Sequence, residues 1–236
     1  MGYESPMPVQ EEVIPFLLGD DNDVIALAQT GTGKTAAFGL PILQKIDVTT
    51  YHPQALVLCP TRELCLQIAD DLNDYSKYID NLKVLPVYGG SSIESQIKTL
   101  KRGVHVVVAT PGRLLDLMNR KTVDLSLVKN VIMDEADEML NMGFTDSINA
   151  ILAEVPENRN MLLFSATMPK EIANITKKYM KNPKEIVIGN KNEGNKNIRD
   201  IYYMVQARDK YLALKRIADF YPNIYGIVFC LSLIHI

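Results

Sequence analysis

At 236 residues, with 47% hydrophobic and 22% charged side chains, the chain has the balance of a soluble globular protein and can bury a core without covalent staples. The formal net charge of −3 excludes the broad basic field of a nonspecific polyanion binder, so any nucleic-acid grip must come from a few placed groups. No apolar run reaches the roughly 18 residues of a membrane span. Met1-Gly2-Tyr3-Glu4-Ser5 carries no secretory signal. Cys59, Cys65 and Cys230, with the scattered His52, His105 and His235, have neither a disulfide framework nor zinc spacing, so a reducing, cytoplasmic setting is expected.

The first predicted strand, 23–28, runs into Ala28-Gln29-Thr30-Gly31-Thr32-Gly33-Lys34-Thr35, which opens a helix. Glycines in such a loop let successive backbone N–H groups converge on phosphate oxygens, and the helix start adds its unpaired N–H groups and positive dipole end. In a P-loop of this kind Lys34 reaches the β- and γ-phosphates and the Thr35 hydroxyl ligates Mg2+. Ala28 stands where the general pattern has its first glycine.

A strand at 54–59 leads through Pro60-Thr61-Arg62-Glu63 into a helix at 62–78, where Leu64, Ile68, Leu72 and Tyr75 recur at helical spacing. Strand 83–88 ends in Gly89-Gly90, where a backbone can approach a ligand closely, and a helix follows at 93–102. Strand 105–109 passes into the next helix through Thr110-Pro111-Gly112-Arg113. The two strand-to-helix junctions present free N–H groups to an anion. With the glycine pair they read as contacts to sugar and phosphate, Arg62 and Arg113 supplying charge; Glu63 alternatively fixes Arg113 or another arginine. Contacts of this kind position a strand without reading its sequence.

Asn130-Val131-Ile132-Met133 runs straight into Asp134-Glu135-Ala136-Asp137. Beside a P-loop, a carboxylate at a strand end supplies the Mg2+ contact that Lys34 and Thr35 leave open, and the next one, Glu135, can take a proton from an attacking water or orient it. A helix at 145–154, a strand at 160–165, the hydroxyl-rich turn Ser165-Ala166-Thr167, a helix at 170–180 and a strand at 184–188 follow. Most strands are continuously apolar, as strands buried on both faces are. Strand–helix alternation predicts an α/β fold, an open and mainly parallel sheet with helices on both faces and ligands at the carboxyl ends of its strands. The polar stretch from Gly189 to Asn197 reads as an exposed linker. It divides the chain into a first domain at 1–189, a linker at 190–197 and the start of a second domain at 198–236, with a strand at 198–205, a helix at 208–221 and a strand at 224–230. About 40 residues make no independent core.

Taken in order, Gln10, the loop 28–35, Pro60-Thr61-Arg62-Glu63-Leu64, Gly89-Gly90, Thr110-Pro111-Gly112-Arg113, Asp134-Glu135-Ala136-Asp137 and Ser165-Ala166-Thr167 resemble the first RecA-like domain of DEAD-box RNA helicases, over essentially residues 1–190. The motifs are similar in tone to the bacterial cold-shock group, and Gly2-Tyr3-Glu4-Ser5-Pro6-Met7-Pro8-Val9-Gln10 resembles that family's Q motif. The resemblance implies a P-loop NTPase (RecA-like) fold with a fragment of a second such domain. It places Tyr3, Ser5 and Gln10 at the adenine end, where a glutamine amide suits N6 and N7 of the base and an aromatic can stack. Thr30, Gly31, Thr32, Gly33, Lys34 and Thr35 would hold the phosphates, Thr35 and Asp134 the Mg2+, and Lys34, Asp134 and Glu135 would carry the hydrolysis of ATP. Pro60, Thr61, Arg62, Gly89, Gly90, Thr110, Pro111, Gly112 and Arg113 would hold RNA without reading its sequence, preference over DNA resting on 2′-hydroxyl contacts. Asp137, Ser165, Ala166 and Thr167 would couple nucleotide state to RNA handling. Met142-Gly143-Phe144 is similar to a family segment near the bound strand, and core packing explains Phe144 equally well.

The same resemblance implies a monomer without a membrane partner, whose parent enzyme separates short RNA duplexes as two domains close on ATP. Tyr225-Gly226-Ile227-Val228-Phe229-Cys230 resembles the first strand of the family's second domain, whereas Leu231-Ser232-Leu233-Ile234-His235-Ile236 departs from it and reads as a truncation, frameshift or cloning tail. An isolated chain without the second domain's arginine finger, worth about 10³–10⁵ in rate, is expected to bind ATP weakly, turn it over very slowly and unwind nothing. Two other readings compete. Asn190-Lys191-Asn192-Glu193 mimics a guanine-reading Asn-Lys-x-Asp, with Glu193 in place of the aspartate, but no Asp-x-x-Gly follows the acidic strand. A nonenzymatic RNA- or partner-binding module is the other.

Overall fold

The computed structural model describes residues 4–19, 23–29, 31–188 and 201–228. In chain order the elements are α1 (Pro8–Gly19), β1 (Val24–Leu27), α2 (Lys34–Gln44), β2 (Ala55–Leu58), α3 (Arg62–Tyr75), β3 (Val84–Val87), α4 (Ile93–Lys101), β4 (Val106–Ala109), α5 (Pro111–Asn119), β5 (Asn130–Met133), α6 (Ala136–Asn141), α7 (Thr145–Glu154), β6 (Asn160–Ser165), α8 (Lys170–Tyr179) and β7 (Lys184–Val187). Among the described residues the strands form one seven-stranded sheet in the order β3-β4-β2-β5-β6-β1-β7, and every neighbouring pair is parallel. The predicted α/β class and parallel sheet are what the molecule has, with each strand one or two residues shorter than its apolar run or equal to it.

The continuous apolar runs have a direct physical reason. Successive side chains of a strand leave on opposite faces, and here both faces are covered. Ile25, Leu27, Leu56, Leu58, Val107, Ala109, Val131, Met133, Met161 and Leu163 join one core with Leu114, Leu117, Met139, Ile148, Ile151 and Ile172 from α5–α8. Their neighbours Val24, Ala26, Val57, Val106, Val108, Ile132, Leu162 and Phe164 join a second core with Val9, Val13, Phe38, Ile42, Ile68 and Leu72 from α1–α3. Cys59 and Cys65 are fully buried in that second core, as small hydrophobes.

The chain falls into two compact units, Met1–Glu193 and Gly194–Ile236. In the second, a 3-10 turn (Ala207–Asp209) leads into α9 (Lys210–Phe220), close to the predicted helix. The strands predicted at 198–205 and 224–230 are not formed wherever they are described: residues 201–205 and 224–228 are neither strand nor helix. β-prone side chains make a strand only against a neighbour that accepts the ladder, and these two segments have no ladder partner among the described residues. The predicted linker at 190–197, its Asn190-Lys191-Asn192-Glu193, and residues 229–236 lie outside the described residues. Among the described residues no helix is long and apolar enough to cross a membrane.

His105, at the amino end of β4, shows how closely the lower edge of the sheet is specified. It is fully buried; its Nδ1 accepts from Lys83 N at 3.0 Å and its Nε2 lies 3.3 Å from Val48 O, which fixes a neutral ring with the proton on Nε2. Burial, aided by the charge of Lys83 and opposed by the Val48 bond, lowers its pKa below the ordinary 6.5. The unfolded chain therefore takes up this proton first, and the stability from a neutral His105 is full above about pH 6.5 and lost as pH falls below it. Thermal melts of the parent and of His105→Asn, whose side-chain oxygen can still accept from Lys83 N, are expected to diverge in slope below pH 6.5, the variant being flatter; parallel curves would refute it.

Candidate functional site

In a wholly parallel sheet all carboxyl ends reach the same rim, and strand order divides that rim in two. The neighbours β3, β4 and β2 deliver the turn at 88–91, the junction 110–113 and the junction 59–62. The neighbours β5, β6 and β1 deliver the acids at 134–137, the turn 165–167 and the P-loop.

Gly31 and Gly33 have φ of 76° and 80°, a left-handed backbone that glycine adopts without strain, and Gly33 caps α2 without a side-chain bond to the first turn. The N–H groups of that turn are therefore left for a ligand. Lys34 is buried, its Nζ 3.3 Å from Ala28 O and 3.9 Å from Asp134 Oδ1. Thr35 follows in the first turn, half-buried, and Thr32 Oγ1 donates to Gln29 O at 2.8 Å. Gln10 is buried against this loop: its Oε1 accepts from Met7 N at 2.9 Å and its Nε2 donates to Gly33 O at 3.1 Å. A Cβ on Gly33 would collide with that same Nε2. One amide hydrogen and one lone pair of Gln10 remain for a base. Ser5 is exposed; Tyr3 and Thr30 lie outside the described residues.

Asp134 continues β5, its N–H donating to Leu58 O at 2.9 Å. Its carboxylate is buried and accepts from Glu135 N at 3.0 Å. Burial pushes its pKa up to about 6, with Lys34 opposing and the charge of Glu135 adding to the rise. Glu135 has a left-handed backbone, φ 50°, a strain of roughly 1–3 kcal/mol in a residue other than glycine and of the kind that gathers at functional sites. Asp137, buried one turn on, accepts from Thr167 N at 3.0 Å and Thr167 Oγ1 at 2.8 Å. Ser165 O accepts from Ala28 N at 3.0 Å, while the buried Ser165 Oγ finds no hydrogen-bond partner among the described residues. The acids, the turn 165–167 and the P-loop thus form one connected patch, with Ala166 exposed at its surface.

The other half of the rim differs from expectation in one respect. Arg113 donates from Nη1 and Nη2 to Ser91 O, each at 3.2 Å, and from Nη1 to Gln96 Oε1 at 3.1 Å. These two oxygens, and not Glu63, hold the guanidinium, one supplied by the turn after β3 and the other by α4. Arg62 is exposed, its guanidinium 4.9 Å from the centre of the Tyr88 ring. Thr61 caps α3, accepting from Leu64 N at 3.2 Å, whereas Thr110 makes no side-chain cap to α5, whose first residue is Pro111. Gly89, Gly90 and Gly112 are exposed and Pro60 is buried. Phe144 packs against the core of the α5–α8 face. Gln96 was not among the expected site residues, though it carried a signal: it stands on the Ile93, Ile97 and Leu100 stripe of α4, where an apolar side chain belongs.

A carboxylate held above its ordinary pKa by burial destabilises the ligand-free fold when ionised. The sign follows from the raised value: stability is full below the unfolded pKa near 3.8 and is lost as pH rises through about 6. Asp134→Asn is therefore expected to melt higher than the parent at pH 7, by about 2–4 °C for each kcal/mol relieved, with the gain vanishing near pH 4. A lower melting temperature at pH 7 would overturn this account of the site's electrostatics.

A family model described as DEAD/DEAH box helicase matches residues 7–175. The chain is 49% identical over 229 residues to the ATP-dependent RNA helicase DeaD of Mycobacterium tuberculosis, covering 97% of this chain and 40% of that protein. It is 47% identical to the DEAD-box ATP-dependent RNA helicase CshA of Bacillus cereus, covering 97% and 43%. The chain thus spans about two fifths of the length of these curated relatives. Among solved structures, a DEAD box protein from the hyperthermophile Methanococcus jannaschii superposes with a TM-score of 0.76 at 43% identity, over 98% of this chain and 61% of that one. With the motif-bearing residues gathered on one rim and the family model spanning both halves of it, the chain belongs to the DEAD/DEAH box helicase family.

Proposed function

We propose that this domain binds ATP with Mg2+ at the β5-β6-β1 half of the rim and holds RNA by its sugar–phosphate backbone at the β3-β4-β2 half. Within a longer protein it would work as part of an ATP-driven RNA helicase, the activity named for its relatives. One observation carries the reading: Lys34 Nζ stands 3.9 Å from Asp134 Oδ1, both groups buried, one residue from Glu135. An isolated ion pair there has no structural need. A cation and an anion at the mouth of a P-loop suit a ligand carrying both signs, a triphosphate with its metal.

Thr35 and Asp134 offer hydroxyl and carboxylate oxygens, the donor set a hard divalent cation prefers, and the buried carboxylate lacks full charge compensation without one. Bound Mg2+ would neutralise charge on the phosphates. Lys34 then leaves Ala28 O for a phosphate oxygen, the N–H groups around Gly31 and Gly33 hold others, and Gln10 faces the base. Glu135, fixed by its strained backbone, orients an attacking water and accepts its proton. The Asp137–Thr167 bond and the Ala28–Ser165 bond supply a path by which a change at the phosphates moves the turn after β6. On the other half, the uncapped start of α5, the exposed Arg62 and the Gly89-Gly90 turn are suited to phosphate and ribose, which fixes register without sequence.

Glu135→Gln is expected to lower RNA-stimulated phosphate release at least about 100-fold while ATP affinity stays within twofold. Turnover equal to the parent would remove the hydrolytic reading and leave a nonenzymatic binding module. Gln10→Ala is expected to weaken ATP about tenfold, about the loss of one or two hydrogen bonds, with little effect on GTP. Equal losses for both nucleotides would mean that Gln10 serves the loop and not the base.

A further inference from the structure

α4 buries one polar side chain, Gln96, and uses three of the four hydrogen-bonding directions of its amide. Nε2 donates to Tyr88 O at 3.1 Å and to Ser91 Oγ at 2.6 Å, and Oε1 accepts from Arg113 Nη1 at 3.1 Å. Arg113 closes the ring by donating twice to Ser91 O. The turn at 88–91, which contains the left-handed Gly90 at φ 81°, is therefore clasped from α4 by Gln96 and from α5 by Arg113. Its far side meets α3, where a Cβ on Gly90 would sit 3.4 Å from Arg62 Nη1 and Arg62 lies over Tyr88. Three rim segments, from three strands, thus meet at one turn, two of them joined by hydrogen bonds and the third by a cation–π contact, and Gln96 is the side chain that bonds to two of them.

We propose that Gln96 is a positioning residue for RNA: it sets the 88–91 turn and the Arg113 guanidinium in the arrangement that receives the sugar–phosphate backbone. The claim rests on the reading of this half of the rim as the RNA site. No other uncharged side chain of that size does the same work. Leucine fills the volume but leaves Tyr88 O and one Arg113 donor without their partner, in a buried setting where that is costly. Glutamate keeps an acceptor for Arg113 but loses both donors and neutralises the cation. Every oxygen that now holds Arg113 in this ring is uncharged, so the guanidinium keeps its full charge for a phosphate. A glutamine is thus the choice that fixes the arginine without quenching it.

The two variants make different predictions, which separate positioning from general support of the fold. A short fluorescent oligouridylate and a non-hydrolysable ATP analogue are titrated into the 236-residue chain and its variants over a range of salt. Gln96→Leu is expected to weaken RNA about 5–10-fold with the salt slope unchanged. Gln96→Glu is expected to weaken it further and to reduce the slope by about 0.7, one phosphate contact on a single strand. Both should bind the nucleotide analogue within twofold of the parent, which also certifies that they are folded; should Gln96→Leu not fold, Gln96→Glu carries the test alone. RNA affinity of either folded variant within twofold of the parent, or an equal loss of RNA and nucleotide, overturns the proposal. A parent chain that binds the nucleotide but no RNA brings down the reading of the rim itself, and this inference with it.

Discussion

The parallel ladder is the constraint from which the rest follows. It sends every strand to finish at one edge, and because helices cover both faces of the sheet, that edge is where polar residues can be used without breaking a core. Four-residue strands such as Val24–Leu27 and Val106–Ala109 are apolar throughout for the same reason, and chemistry begins at the first residue beyond each. Asp134 and Thr110 stand at that step, and Ser165 is the last residue of β6 itself. The order of the strands then decides which chemistries are neighbours. The acids and the P-loop flank β6, so the turn after β6 touches both, while the junctions that suit a nucleic-acid backbone share the opposite side.

Electrostatics within the β5-β6-β1 half of the rim is mismatched. Asp134 is withdrawn from water, and the Glu135 N–H at 3.0 Å and the Lys34 amine at 3.9 Å do not offset its desolvation. Glu135 is held in a left-handed backbone. Both are locally unfavourable, the carboxylate through its burial and the glutamate through its backbone angle. Under the proposed function, stability would be given up locally so that a ligand finds its partners already placed.

Much of this was legible in the sequence because the signals were local or periodic. Apolar runs located all seven strands to within two residues, and the loop around Lys34 and the acids at 134–137 announced themselves by their position after strands. What was not legible was where side chains go once helices have packed. Arg113 reads as a charge for the backbone or as held by Glu63, whereas one carbonyl 22 residues upstream, Ser91 O, and the Gln96 amide oxygen hold it. Thr61 caps its own helix, as a threonine at a strand-to-helix junction commonly does. Gln96 gave a faint signal, a polar residue on an apolar stripe, that becomes meaningful only when three segments from different strands meet around it. The predicted strands of the second unit have suitable side chains, but strand is a property of a pair, and these segments have no ladder partner among the described residues.

The contact between Gln10 and Gly33 has a consequence for how such domains can vary. The glutamine amide lies in the volume a β-carbon at position 33 would take, so the glycine is demanded from two directions, by its backbone angle and by a side chain 23 positions earlier. Neither residue can drift alone: a larger group in the loop evicts the glutamine, and a smaller one in α1 leaves the loop carbonyl unsupported. The lead-in helix and the phosphate loop are thereby coupled through one contact.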